Sequence, residues 1–156
     1  MPSRRELIAM SPEEVAAYLA GQRRIIIVTI GQDGMPHPIP MNYGVDEQGR
    51  IVIVTFRKSQ KVKNLERDPR ATLLVESGGA YAELKSVILY CHAEILGDPD
   101  DVAANMAKVR ADAEMTGSMS SAMSEQVKAS LAKRVILRLT PYRTISWDHS
   151  KLSGFY

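Results

Sequence analysis

With 156 residues the chain has the length of one domain, spanning 1–156, with enough residues for a substantial core, and its 45% hydrophobic and 24% charged content is that of an ordinary globular protein. A net charge of +2 is too small to argue for a nucleic-acid partner, and a single cysteine, Cys91, excludes an intrachain disulfide framework or a Cys-x-x-Cys metal site. No apolar run is long enough for a membrane span and no signal-peptide core is present, so a cytoplasmic protein without a membrane partner is expected.

Ser11-Pro12-Glu13-Glu14 predicts a helix over 11–20: Ser11 caps, Pro12 takes the first turn, Glu14 completes a capping box, and Gly21 ends it. Val15, Tyr18 and Leu19 form its apolar face. Arg24–Ile30 (RIIIVTI) is dense in β-branched residues and reads as a buried strand, followed by a turn at Gly31-Gln32-Asp33-Gly34. In the next segment Pro36, Pro38 and Pro40 alternate. If it is a strand, the three missing N–H groups lie along one edge, which is then an outer edge or a place where a ligand or another subunit approaches.

Asp46-Glu47-Gln48-Gly49 turns the chain into Ile51–Arg70, IVIVTFRKSQKVKNLERDPR. This stretch reads as a buried strand (Ile51–Thr55), a basic loop (Phe56–Lys58) and a short helix that opens at Ser59 and stops before Pro69. A helix N-terminus presents backbone N–H groups with no intrahelical partner, and the surrounding Lys and Arg add positive charge, so phosphate is the expected guest. Ser59 can cap the helix or give its hydroxyl to the same anion.

Ala71–Glu76 is a further strand. In Ser86–Leu96, Val87, Leu89, Cys91, Ala93 and Ile95 form a core face, while Ile88, Tyr90, His92 and Glu94 form a face suited to a subunit interface or a ligand wall. Asp98-Pro99 restarts a helix with Val102, Met106 and Val109 as its stripe. The Ser- and Met-rich 114–124 reads as a loop and candidate lid, Glu125–Ala132 as a short helix. Arg134–Thr140 is a strand with Val135, Leu137 and Leu139 inward; Pro141 is expected to interrupt it before a last strand at Arg143–Asp148. About seven short strands joined mostly by tight turns favour a mainly β protein, an antiparallel Greek-key barrel with flanking helices.

The sequence contains no GxSxG, HExxH, GxGxxG or Walker A motif. His37, His92 and His149 are far apart and read as structural or surface residues rather than metal ligands. No acid–base pair is identifiable, and the catalytic residues of any reaction stay unassigned. If the chain is an enzyme, a cofactor carries the hard chemistry.

The order strand–Thr55-x-x-x-Ser59-x-Lys61–helix–Asp68-Pro69-Arg70–strand resembles the flavin-binding split-barrel superfamily, the pyridoxamine 5′-phosphate oxidase-like proteins. His92-Ala93-Glu94 and the closing TPYRTISWD are also similar to that family, and the resemblance covers about 24–148. It implies a six-stranded split barrel of the FMN-binding type that forms a homodimer, with the flavin at the subunit interface and a small-molecule substrate over its ring. It assigns Ser59 and Lys61 to the flavin phosphate, Val54 and Thr55 to the strand before it, and Met41, Asn42 and Tyr43 to the ring through their backbone. Lys58 is a further cationic candidate, and Trp147 lies close to the cofactor or else anchors the core or interface. The sequence departs from the pyridoxamine oxidases at Ile39, at Ser86 and in the absent Arg-x-His motif, which speaks against pyridoxamine phosphate as substrate. Relatives use the deazaflavin coenzyme F-420 instead of FMN, and others handle haem. The expected activity is hydride transfer by a flavin- or deazaflavin-dependent oxidoreductase. The competing readings are a flavin or haem carrier without turnover and an interaction protein with an empty barrel.

Overall fold

The computed structural model describes residues 1–109 and 125–153, so the candidate lid at 114–124 lies outside the described residues. Two helices, α1 (Arg4–Ile8) and α2 (Pro12–Gly21), precede the strands β1 (Arg24–Ile30), β2 (Pro36–Asn42), β3 (Gly44–Val45) and β4 (Ile51–Phe56). Helix α3 (Gln60–Arg67), β5 (Arg70–Ser77), β6 (Lys85–Leu96), helices α4 (Pro99–Met106) and α5 (Glu125–Ala132), and β7 (Arg134–Asp148) complete the order, with short 3-10 turns at Tyr81–Glu83 and His149–Leu152. The capping box at Ser11 and Glu14 is made in both directions. A second box at Ser3 and Glu6 opens α1, a helix the sequence reading did not anticipate although Ser-x-x-Glu was there to be seen.

All strand pairs are antiparallel and run in the order β2-β1-β5-β6-β7-β4-β3. The two edge strands, β2 and β3, are consecutive in the chain with only Tyr43 between them. A flat sheet of this order would hold its edges about 29 Å apart, six spacings of about 4.8 Å. Two Cα steps reach only about 7 Å, so the sheet must roll until its edges meet. The split barrel expected from the sequence is therefore present, with seven hydrogen-bonded strands rather than six; the extra one is the two-residue β3.

One core fills the barrel, built from inward positions such as Ile25, Ile27, Ile51, Ile53, Leu73, Val87, Leu89, Leu137 and Leu139. Helix α3 carries the chain from β4 to β5 across one end and plugs it with Val62 and Leu65. A second cluster lies outside, where Val102 and Leu131 of α4 and α5 cover Val52 and Ile136. Strands β4 and β7 are thus buried on both faces where they meet. The expected break at Pro141 is corrected: β7 is continuous. Pro141 pairs with Cys91 where the register to β6 shifts and Tyr142 is the extra residue of a bulge, so no ladder bond is asked of its missing N–H.

Cys91 is fully buried in the barrel, and burial pushes its thiol up to about 12. Its reaction with a thiol reagent is expected only when the barrel opens, so labelling in native buffer should follow the unfolding rate and become immediate in denaturant. Among the described residues, no helix is long and apolar enough to cross a membrane.

Candidate anion and ligand site

The site forms where β4 runs into α3. On β4, Ile51, Ile53 and Thr55 face the barrel interior while Val54 is half-buried against the outer cluster. The polar member of the inward row, Thr55, sits at its end, beside the plug helix. Its Oγ1 accepts a hydrogen bond from Lys61 Nζ at 2.9 Å, and Ser59 Oγ lies 3.5 Å away. Lys61 is only 8% exposed. No carboxylate pairs with it among the described residues, and burial alone holds its ammonium below the ordinary value of 10.5. Ser59 is the N-cap of α3, yet its side chain makes no capping bond. Thr55, Ser59 and Lys61 are thus brought together around a helix N-terminus with a hydroxyl and ammonium hydrogens to spare, a donor set that fits a phosphate.

The ladders fix which backbone groups border this site. Gly31 N–H donates to Met35 O at 2.8 Å and Tyr43 N–H to Arg23 O at 3.3 Å, one at each end of the β1–β2 pairing. Counting inward from either end, His37, Ile39 and Met41 exchange bonds with β1, whereas Pro36, Pro38, Pro40 and Asn42 turn their backbone outward. On β4, Arg57 N–H donates to Lys133 O at 2.8 Å, which leaves Val54 and Phe56 turned away from β7. Strand β3 pairs with β4 only at Gly44–Val52 and Val45–Ile51. Beyond those pairs a seam opens, with Asn42 and the prolines on one side and Val54 and Phe56 on the other. Of the three residues expected to offer backbone to a ring, Asn42 faces this seam. Met41 is bonded to β1 and half-buried against the core, and the fully buried Tyr43 donates its hydroxyl to Leu19 O at 2.5 Å.

The remaining cations separate by their partners. Arg57 reaches away to Gly97 O at 2.8 Å. Arg67 donates to Ile30 O at 2.7 Å, and Arg70 pairs with Asp68, whose carboxyl it lowers to about 2. Lys58 and Lys63 are exposed on the turn and first half of α3 and form no ion pair among the described residues. Trp147 is half-buried opposite Ser86 on β6. It stands twelve residues along β7 from Val135, the partner of Thr55, with the bulge at Tyr142 between them.

The sequence reading passed over a polar chain one turn further along α3. Asn64 is fully buried; its Nδ2 donates to Thr29 Oγ1 at 3.0 Å, and its Oδ1 accepts from Gln60 Nε2 at 2.9 Å and from Arg67 at 3.3 Å. Thr29 on the inward face of β1 was the available signal, because a hydroxyl in line with Ile25 and Ile27 requires a partner.

A family model described as pyridoxamine 5′-phosphate oxidase matches residues 11–148. A conserved hypothetical protein from Mycobacterium tuberculosis is 34% identical, with a TM-score of 0.77, and the match covers 99% of this chain and 95% of that one. A FAD-binding protein from Mesorhizobium loti shares the fold at 17% identity (TM-score 0.65; 88% and 94% covered). An F-420 reductase does so at 19% identity (TM-score 0.61; 92% and 98% covered).

Proposed function

The chain belongs to the pyridoxamine 5′-phosphate oxidase family, and from that membership we propose that it is a cytoplasmic oxidoreductase holding a flavin-type cofactor, FMN in the first instance, at the seam between β2 and β4. The observation that carries this reading is Lys61, a lysine 8% exposed whose ammonium meets a hydroxyl and no carboxylate among the described residues. A buried charge without a counter-ion costs several kcal/mol of solvation (on the order of 1–3 even for a neutral group), and a bound phosphate removes that cost. When bound, a flavin-type group supplies hydride transfer to or from a small organic molecule. Lys61, Ser59 and Thr55 hold the phosphate at the N-terminus of α3, with Lys58 at its exposed side. Asn42 and Val54 present backbone groups at the seam and orient a planar ring there, while Met41 and Tyr43 support that wall from the core. The relatives that bear flavin and deazaflavin names accord with this assignment.

A second reading exchanges FMN for the deazaflavin coenzyme F-420. It is favoured by Lys58, Lys63 and Lys133, exposed cations near the end of β4 without ion-pair partners among the described residues, which exceed what one phosphate needs. Native mass spectrometry of the protein as isolated, with its absorption spectrum, tests both. A bound mass of FMN or of F-420 supports one or the other; a haem spectrum, or a colourless protein that binds none of the three in titration, overturns both.

We also propose a homodimer. Following the registers, Pro40, Ile26, Leu74, Ile88 and Ile145 lie in one row across five strands on the outer face, next to the row Pro38, Val28, Thr72, Tyr90 and Arg143. Such a continuous apolar band marks an interaction surface. Trp147, twelve residues along β7 from the partner of Thr55, is assigned to the cofactor of the second copy. Leu74→Arg is expected to convert the dimer to monomer by light scattering and to weaken cofactor binding with it; a variant that stays dimeric would place the interface elsewhere.

A further inference from the structure

Helix α3 buries Lys61, Val62, Asn64 and Leu65 against the barrel. Val62 and Leu65 hold it by apolar burial, which has no direction and tolerates a turn or a slide of so short a helix. Direction comes from the polar pair. Lys61 Nζ donates to Thr55 on β4 at 2.9 Å, and Asn64 Nδ2 donates to Thr29 on β1 at 3.0 Å. Strands β1 and β4 are not neighbours, because β5, β6 and β7 stand between them in the sheet. They flank the seam, β4 directly and β1 through its partner β2. Helix α3 is therefore a brace, fastened by a buried hydrogen bond on each side of the opening.

The orientation of the Asn64 amide follows from its partners. A guanidinium only donates, so the atom 3.3 Å from Arg67 is Oδ1, and Nδ2 faces Thr29. The same Oδ1 accepts at 2.9 Å from the side chain of Gln60, the first residue of α3 and the chain neighbour of Ser59. Gln60 and Arg67 are exposed, and water can take the place of Asn64 for either of them. Thr29 and Asn64 are both 0% exposed, so neither finds a substitute if the other is lost. At the opposite end of the brace, Ser59 makes no capping bond to α3. Its hydroxyl therefore stands where the lie of the helix puts it.

We propose that Asn64 is a positioning residue of the anion site. Bonded to Thr29, it fixes how α3 is turned on the barrel, and with that where Ser59 Oγ, the first N–H groups of the helix and Lys61 Nζ meet around one phosphate. Its amide is directed at Thr29, Gln60 and Arg67, so it acts through the helix and not as a ligand to the anion. The inference rests on the phosphate reading above. Donors from a side-chain hydroxyl, a helix end and an ammonium converge on one group only while their support holds them to within about 0.5 Å.

Inorganic phosphate and FMN, titrated by calorimetry into the full-length protein and its variants, test this together with urea unfolding of each variant. In the double variant Thr29→Val with Asn64→Leu, apolar groups of similar shape replace both partners of the buried bond, an exchange that costs little stability. Its unfolding midpoint is expected near that of the wild type, and its affinity for both ligands about tenfold lower, the worth of one charge-assisted hydrogen bond. Thr29→Ser keeps the hydroxyl and loses a buried methyl group, so it should be less stable and bind both ligands as the wild type does. Stability and affinity thus move apart in opposite senses, which a merely structural role does not produce. A folded double variant with wild-type affinity, or a Thr29→Ser protein that loses affinity, would overturn the assignment. Should the double variant fail to fold, Thr29→Val alone decides in the same way, since Thr29 lies on β1 and belongs to no part of the phosphate cluster. A wild-type protein that takes up neither phosphate nor FMN would instead sink the phosphate reading.

Discussion

Lys61→Met should make the ligand-free protein more stable while it weakens cofactor binding. Methionine fills much the same space without a charge, so the cost of burying an ammonium beside Thr55 disappears. The expected gain in urea unfolding is on the order of 1–3 kcal/mol, and the expected loss of phosphate or FMN affinity is also about 1–3 kcal/mol. The pH dependence carries the same sign. Burial depresses the folded-state pKa of Lys61 below 10.5, so between that lowered value and 10.5 the unfolded chain binds more protons. Stability from this group is therefore lowest below the depressed value and recovers as pH rises toward 10.5. The variant should lose that upward slope, and saturating phosphate should flatten it in the wild type. A variant that is less stable and binds phosphate unchanged would show Lys61 to be a structural residue.

Gly44→Ala should be the most damaging small substitution near the seam. A Cβ at Gly44 would overlap the backbone carbonyl of Lys108 and stand 3.0 Å from Val109 N. These are main-chain atoms that no rotamer change can move. The substitution must displace the chain after α4 or open the β3–β4 pairing that ends the seam, at a cost of about 3 kcal/mol or more. Gly49→Ala is the control: Gly49 has a positive φ of 76° but open space around it, so it should lose only about 1 kcal/mol. Similar losses for both would mean that the close approach of Lys108 does not constrain the fold.

What could be read in advance followed the range of each cause. The Ser11 box and the alternation of Val87, Leu89 and Cys91 depend on residues a few places apart, and the structure shows both as expected; the equally local Ser59-x-Lys61 spacing brings those two side chains together at Thr55. Pro141 was misjudged because its tolerance depends on the bulge against Cys91, fifty positions away. Arg57 looked equivalent to Lys58 in a basic run, and only the fold brings Gly97 to it. In the Asn64 network the inward hydroxyl of Thr29 announced a buried partner, but only the fold shows that the partner is Asn64, thirty-five positions away.

The alternating prolines have a consequence for behaviour in a crowded solution. An exposed β edge is a template, because its free N–H and C=O groups can recruit a strand from any neighbouring chain. Pro36, Pro38 and Pro40 strip every donor from the outward positions of β2 up to Asn42, so an incoming strand would find half of its bonds unanswered. The β2 side of the seam can therefore stay open without serving as a template for a further strand.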